Sequence, residues 1–305
     1  MRIAVMGMGG VGGYFGGKLA RRFADSSEHR IVFFARGNHL EAIRRDGLKI
    51  ISTEGNFTAK PWLATDRSSE AGPLDMILFC VKGYDLEEAT RSIAGCLHDS
   101  TVILPLLNGV DISERIENLI PEGIVLRGCA YISSRIVSPG VVERRGELGR
   151  IIFGPGGKSD PEEFRYIETI LRQAGVDAVL QGNMADVLWA KYSFIEPLAT
   201  LSSAARKNFG EILADRETLE KLRGLAAETE RVALGQGIRL PGDVVSSVLE
   251  KAGAFPPETK TSMQLDFEQG RRTEMEIFTG YIVKKGKDLG VPVPLHDEIY
   301  GKLKK

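Results

Sequence analysis

The chain has 305 residues, 43% hydrophobic and 27% charged, which is material for about two packed domains at roughly 150 residues each. Its 40 basic and 41 acidic side chains leave a net charge of -1, which argues against nucleic acid as a principal partner. Three cysteines (Cys80, Cys96, Cys129) and four scattered histidines (His29, His39, His98, His296) offer neither a disulfide framework nor metal-ligand spacing, so no metal is expected.

The apolar run Ile3-Ala4-Val5-Met6 leads directly into Gly7-Met8-Gly9-Gly10-Val11-Gly12, and Gly13, Gly16, Gly17, Leu19 and Ala20 follow. A strand, a glycine turn and a helix start in that order present backbone N–H groups and the positive end of a helix to a diphosphate. Gly7 permits the tight exit from the strand, Gly9 lets the backbone approach a pyrophosphate without a Cβ in the way, and Gly12 lets the helix pack close to the strand. Gly13, Gly16 and Gly17 are expected to keep the sheet-facing side of that helix small. A first strand at Arg2 leaves no room for a signal peptide, and no apolar run approaches the ~18 residues that cross a bilayer. A cytoplasmic protein with no membrane partner is expected.

The second strand, 30–35, ends at Arg36. A chain preferring NAD would place Asp or Glu there to accept from the ribose 2′-OH, whereas a guanidinium matches a 2′-phosphate bidentately, so NADP(H) is expected. The alternative is a solvated arginine at a strand end. Further on, 76–81 and 101–104 are continuous apolar runs, the mark of parallel strands buried on both faces, with helical spacing over 85–97 between them. Strands at 124–132, 140–145 and 150–153, joined by short turns, read as an antiparallel extension. A helix over 161–173 and a strand over 176–180 follow, and from Asn183 only helices are predicted, with breaks at 235–241, 253–257 and 290–294. The basic tail Lys302, Lys304 and Lys305 reads as a solvated end.

The predicted fold class is therefore α/β: an N-terminal Rossmann-type doubly wound sheet with an antiparallel extension, plus an all-α C-terminal domain. The boundary falls at Gly182, giving an NADP-binding domain over 1–182 and a helical substrate and catalytic domain over 183–305, with the cleft between them the default place for chemistry. Two loops at carboxyl ends of parallel strands face that cleft in this reading, 81–85 with Lys82 and 107–110 with Asn108. Lys82 could bring positive charge to coenzyme or substrate, and Asn108 a donor and an acceptor, although Asn108-Gly109 is also simple turn chemistry.

In the helical half two charges interrupt apolar stripes. Lys191 lies among Met184, Val187, Leu188, Ile195 and Leu198, where it must snorkel outward, pair with an acid or line a polar cavity. Glu274 stands seven residues from both Phe267 and Tyr281 and four before Phe278, on what reads as an apolar helix face. One cation and one carboxylate so embedded suggest a polar pocket between helices.

Taken together, these residues resemble the ketopantoate reductases (2-dehydropantoate 2-reductases) over essentially the whole chain. The likeness rests on the glycine turn with Arg36, the Val81-Lys82 and Asn108-Gly109 loops, Leu188-Trp189-Ala190-Lys191, and Ser262-Met263 followed by Asp266 and Thr273-Glu274. The resemblance implies NADPH-dependent reduction of a 2-oxo acid, with Lys191 the catalytic general acid, and Glu274 and Ser262 holding the substrate. It also implies that Arg36, Lys82 and Asn108 contact NADP or the substrate beside it, and that Ser134 neighbours the coenzyme. The family includes monomers and dimers, and an apolar face in the helical half could serve a homodimer. Asparagines that bind substrate in the family fall here on Ile195, Ala199 and Phe209, which favours a more apolar 2-oxo acid than ketopantoate. A non-catalytic NADP-binding protein is the third reading, disfavoured by Lys191 and Glu274.

Overall fold

The computed structural model describes residues 1–157 and 159–304, so Lys305 of the basic tail lies outside the described residues. The chain divides into two compact units, the first ending at Met184 and the second beginning at Ala185.

The first unit holds two sheets. In chain order its elements are β1 (Arg2–Met6), α1 (Gly10–Arg22), β2 (Arg30–Phe34), α2 (Gly37–Asp46), β3 (Leu48–Ile51), β4 (Phe57–Ala59), β5 (Leu63–Thr65), β6 (Met76–Phe79) and α3 (Leu86–Ile93). These are followed by β7 (Val102–Pro105), α4 (Ile112–Glu117), β8 (Ile124–Val125), β9 (Arg127–Ser138), β10 (Val141–Gly154), α5 (Arg165–Gln173) and β11 (Asp177–Leu180). Six strands pair in parallel in the order β5-β2-β1-β6-β7-β8, so strands met successively along the chain step outward from β1 and then reverse at β6. In such sheets ligands lie outside the carboxyl ends at the reversal.

The expected antiparallel extension is a sheet of its own, β11-β10-β3-β4 with β9 on β10, and it is mixed rather than antiparallel. β10 pairs antiparallel with β9, yet runs parallel to β3 over its first residues and parallel to β11 over its last. The runs at 140–145 and 150–153 are one strand, carried across a register shift between Arg145 and Gly149. Conversely, the run at 124–132 is two strands, and the first of them belongs to the parallel sheet.

α1 lies between the two sheets, which corrects the idea that its glycines serve one sheet. A Cβ on Gly16 would stand 3.1 Å from Phe33 and Val5 of the parallel sheet, while one on Gly13 would stand 2.7 Å from Val142 and one on Gly17 2.9 Å from Ile50 of the mixed sheet. Tyr14, Phe15 and Leu19 complete a helix buried on both sides, in a core shared with Val5, Phe33, Leu48, Ile50 and Val142.

In the second unit the elements are α6 (Met184–Ala205), α7 (Phe209–Ala214), α8 (Arg216–Gly235), α9 (Val244–Gly253), α10 (Ser262–Glu268), α11 (Thr279–Leu289) and α12 (Pro294–Leu303). Their starts follow capping chemistry: Asn208 accepts from Glu211 N–H in a reciprocal box, and Asp215, Asp243 and Thr261 accept from first-turn N–H groups of α8, α9 and α10. Gly290 ends α11 in the left-handed region at φ +66°. Leu198, Leu201, Phe209, Leu222, Leu225 and Ile299 form the core of the unit. No helix among the described residues is long and apolar enough to cross a membrane.

Candidate active site

Four strands of the parallel sheet end in register. Phe34, Met6, Phe79 and Pro105 lie side by side across β2, β1, β6 and β7. The chain therefore leaves one edge of the sheet in four adjacent segments: 35–36, the glycine turn from Gly7, 80–82, and 106–108. This register brings Arg36, residues 7–12, Lys82 and Asn108 to one rim. The turn and the Lys82 segment touch, since a Cβ on Gly7 would stand 2.9 Å from the backbone of Cys80 and Val81, and Gly7 itself has φ +94°. Lys82 starts the short turn Gly83–Asp85, whose Asp85 N–H returns to Lys82 O at 2.8 Å.

The residues at this rim fit a dinucleotide diphosphate. Gly9 caps α1 without a side chain, and the first turn carries no acid, so the N–H groups and positive end of the helix face outward. A Cβ on Gly9 would meet nothing within 4 Å, whereas one on Gly10 would stand 2.3 Å from Ser134 O of β9. The mouth is thus open in front of Gly9 and walled by β9 behind Gly10. Beside it the buried Ser134 Oγ makes no hydrogen bond among the described residues.

Two residues at this rim escaped the sequence reading. His39, in the first turn of α2, accepts from Gly140 N–H at 3.0 Å through Nδ1, and burial, partly offset by a hydrogen bond with the Met8 backbone, holds its pKa below the ordinary imidazole value. The bond to Gly140 ties the start of α2 to the β9–β10 hairpin. Asp85 bonds Arg36 Nη2 at 2.9 Å, so the arginine is not simply solvated. Nothing in the local pattern marks either residue: His39 stands alone among scattered histidines, and Asp85 reads as a helix start.

In the second unit, Lys191 is half-buried on α6. Its neighbour Tyr192 sends its hydroxyl to Ile277 O at 2.9 Å and Phe278 O at 3.0 Å, and its ring packs on Phe278 and Tyr281. Trp189 meets both Tyr192 and Tyr281. The helix of Lys191 is therefore joined to the segment that Glu274 begins. Glu274 is 4% exposed, but it does not ride a helix. It lies in the link between α10 and α11 and opens a turn by accepting from Ile277 N–H at 3.0 Å. Ser262 opens α10 as an exposed residue, and Asp266, one turn on, pairs with Arg271 at 2.7 Å. Of the three positions read as lost asparagines, Ile195 is half-buried one turn beyond Lys191, while Ala199 and Phe209 are closed into the interior. Phe209 belongs to the helical core and packs edge-on against the more exposed ring of Phe255, so its side chain serves packing.

Among the described residues there is no group of three or more His, Cys, Asp or Glu arranged to hold a metal ion. The polar pocket of about 480 Å³ lined by Arg21, Arg22, His29 and Gln173 lies where α1 ends and β2 begins, away from this rim.

Comparison with known proteins agrees with the architecture. The family model described as ketopantoate reductase PanE/ApbA matches residues 3–158, and that of its C-terminal part matches residues 183–305. The uncharacterized oxidoreductase YkpB of Bacillus subtilis (strain 168) is 26% identical over 303 residues, covering 99% of this chain and 98% of that protein. A solved 2-dehydropantoate 2-reductase from Porphyromonas gingivalis W83 is 33% identical with a TM-score of 0.86, covering 100% of this chain and 99% of that one. A PanE/ApbA family ketopantoate reductase from Ralstonia eutropha JMP134 superposes with a TM-score of 0.90 at 28% identity, covering 100% and 97%. With both halves matched and the strand order of a dinucleotide-binding sheet in place, this chain belongs to the ketopantoate reductase family, nicotinamide-dependent oxidoreductases acting on CH–OH groups.

Proposed function

We propose that this chain uses NADPH in the cytoplasm to reduce a 2-oxo acid to the 2-hydroxy acid, with 2-dehydropantoate (ketopantoate) to pantoate the reaction its family supports best. In this reading residues 7–12, Arg36, Lys82, Asn108 and Ser134 hold the coenzyme. Glu274, Ser262 and Asn108 orient the substrate. When bound, the dihydronicotinamide supplies the hydride that reduces the ketone carbon. The Lys191 ammonium stabilises the negative charge that develops on the carbonyl oxygen and then gives that oxygen a proton from Nζ. Glu274, buried at the start of a turn, keeps the substrate's polar group fixed while this happens.

The observation that carries the reading is the junction made by Tyr192. One residue beyond Lys191, its hydroxyl bonds the carbonyl groups of Ile277 and Phe278, at the end of the turn Glu274 opens. A protein that merely bound coenzyme would have no use for a lysine helix tied to a buried carboxylate.

Ile195 favours a second reading, a related reductase for a more apolar 2-oxo acid. It stands half-buried one turn after Lys191, where ketopantoate reductases resembling this chain carry an asparagine, and hydrocarbon there leaves a substrate hydroxyl without a partner. NADPH oxidation measured against a panel of 2-oxo acids tests both readings. Turnover fastest with ketopantoate supports the first and a preference for branched or aromatic acids the second. Coenzyme binding with no turnover across the panel refutes both.

A further inference from the structure

The rim carries an acid that the expected coenzyme does not call for. Arg36 and Asp85 lie in the segments that follow two different strands, β2 and β6, and meet at 2.9 Å with side chains 70% and 21% exposed. Both stand on fixed backbone: Asp85 N–H returns to Lys82 O at 2.8 Å in the turn that Lys82 opens beside the glycine loop, and Arg36 O accepts from Leu40 N–H at 3.4 Å at the start of α2. The Arg36 side chain is the more exposed of the two, so its guanidinium is the partner open to an incoming anion.

Resting on the reading of Arg36 as the group that meets the ribose end of the coenzyme, we propose that Asp85 is a specificity-determining residue for NADPH against NADH. Its carboxylate competes with a 2′-phosphate for the Arg36 guanidinium and repels that phosphate, while offering an unphosphorylated ribose the hydroxyl acceptor that the end of β2 lacks. An exposed ion pair is weak, so a dianionic phosphate can displace Asp85, but at a cost that narrows the preference for NADPH. The chain therefore uses both coenzymes, with NADPH favoured by Arg36 and the margin held down by Asp85.

Dissociation constants for NADPH and NADH, measured by fluorescence titration or calorimetry without substrate, test this for the unaltered protein, Asp85→Asn and Arg36→Gln. Asp85→Asn keeps the size of the side chain and removes its charge. It should tighten NADPH roughly three- to tenfold and leave NADH unchanged or weaker, so the ratio of the two constants moves toward NADPH. An unmoved ratio, or one that moves toward NADH, overturns the proposal. Arg36→Gln serves as the separate check on the reading beneath it: loss of NADPH affinity with NADH retained places the 2′-phosphate at Arg36, and equal loss of both removes that premise whatever Asp85→Asn does. Melting curves of both variants that match the unaltered protein establish that the constants report binding. Should Asp85→Asn unfold, Asp85→Ser, smaller and uncharged, carries the same expectation.

Discussion

His296 and Glu196 meet at 3.0 Å, Nε2 to Oε2, with both side chains wholly buried in the helical unit. Nδ1 of the same ring bonds Glu228 at 2.7 Å, so one imidazole bridges carboxylates on α6 and α8 from its place on α12. Glu196 also accepts from Thr200 at 2.7 Å and Thr229 at 2.9 Å, and Glu228 from the backbone N–H groups of Leu295 and His296. Burial opposes charge on the ring, but the Glu196 charge and the hydrogen bonds to both carboxylates outweigh it and raise His296 to about 9.

A histidine raised from 6.5 to about 9 on folding contributes its full stabilisation below pH 6.5 and loses it as the pH climbs through 9. Melting temperature should therefore fall across that alkaline window. His296→Ala, which strands two buried carboxylates, should cost about 3–5 kcal/mol near neutrality and flatten the fall. Urea unfolding of both proteins across the same window checks this, and parallel slopes would show that the ring is not charged in the folded state.

The glycine turn makes a paired prediction. Gly9 has an extended backbone that any residue adopts and free space where a Cβ would go, so Gly9→Ala should keep stability within about 0.5 kcal/mol. The same methyl group would occupy the approach to the helix end, so NADPH affinity should drop at least about tenfold. Gly10→Ala instead drives a methyl group against Ser134 O and should cost about 1–3 kcal/mol of stability. Calorimetric titration beside thermal melts separates the two effects, and undiminished NADPH binding by Gly9→Ala would remove the diphosphate from this turn.

Substrate choice can be probed at Ile195. Ile195→Asn restores a hydrogen-bonding group one turn from Lys191 and should raise kcat/KM for ketopantoate, relative to the same acid lacking its hydroxyl, by about tenfold. Competition between the two acids measures the ratio directly. If the ratio stays put, Ile195 does not face the substrate.

The glycine turn was legible because its pattern is local: strand, turn and helix lie within one short stretch. The positions of the loops of Lys82 and Asn108 were legible for a related reason, since continuous apolar runs mark β6 and β7 and the loops begin where those strands stop. The mixed sheet was not. Its strands β3 and β4 are too short to show a period, and β10 carries Glu143, Arg144, Arg145 and Glu147 through its middle, hiding alternation. Glu274 misled because Phe267, Glu274 and Tyr281 share a heptad spacing, although Gly270, at φ +63°, ends the helix before it. Asp85 was invisible since its partner Arg36 lies 49 residues away and only strand pairing brings them together.

The proposed role of Lys191 as the donor of the proton that completes reduction is tested by Lys191→Ala, with NADPH binding and the turnover of the preferred 2-oxo acid measured on the same preparation. The variant should keep a coenzyme dissociation constant within about twofold of the unaltered protein's and show a kcat lowered by about 10²–10⁴. A variant that binds NADPH normally and turns over within about threefold of the unaltered protein would contradict it.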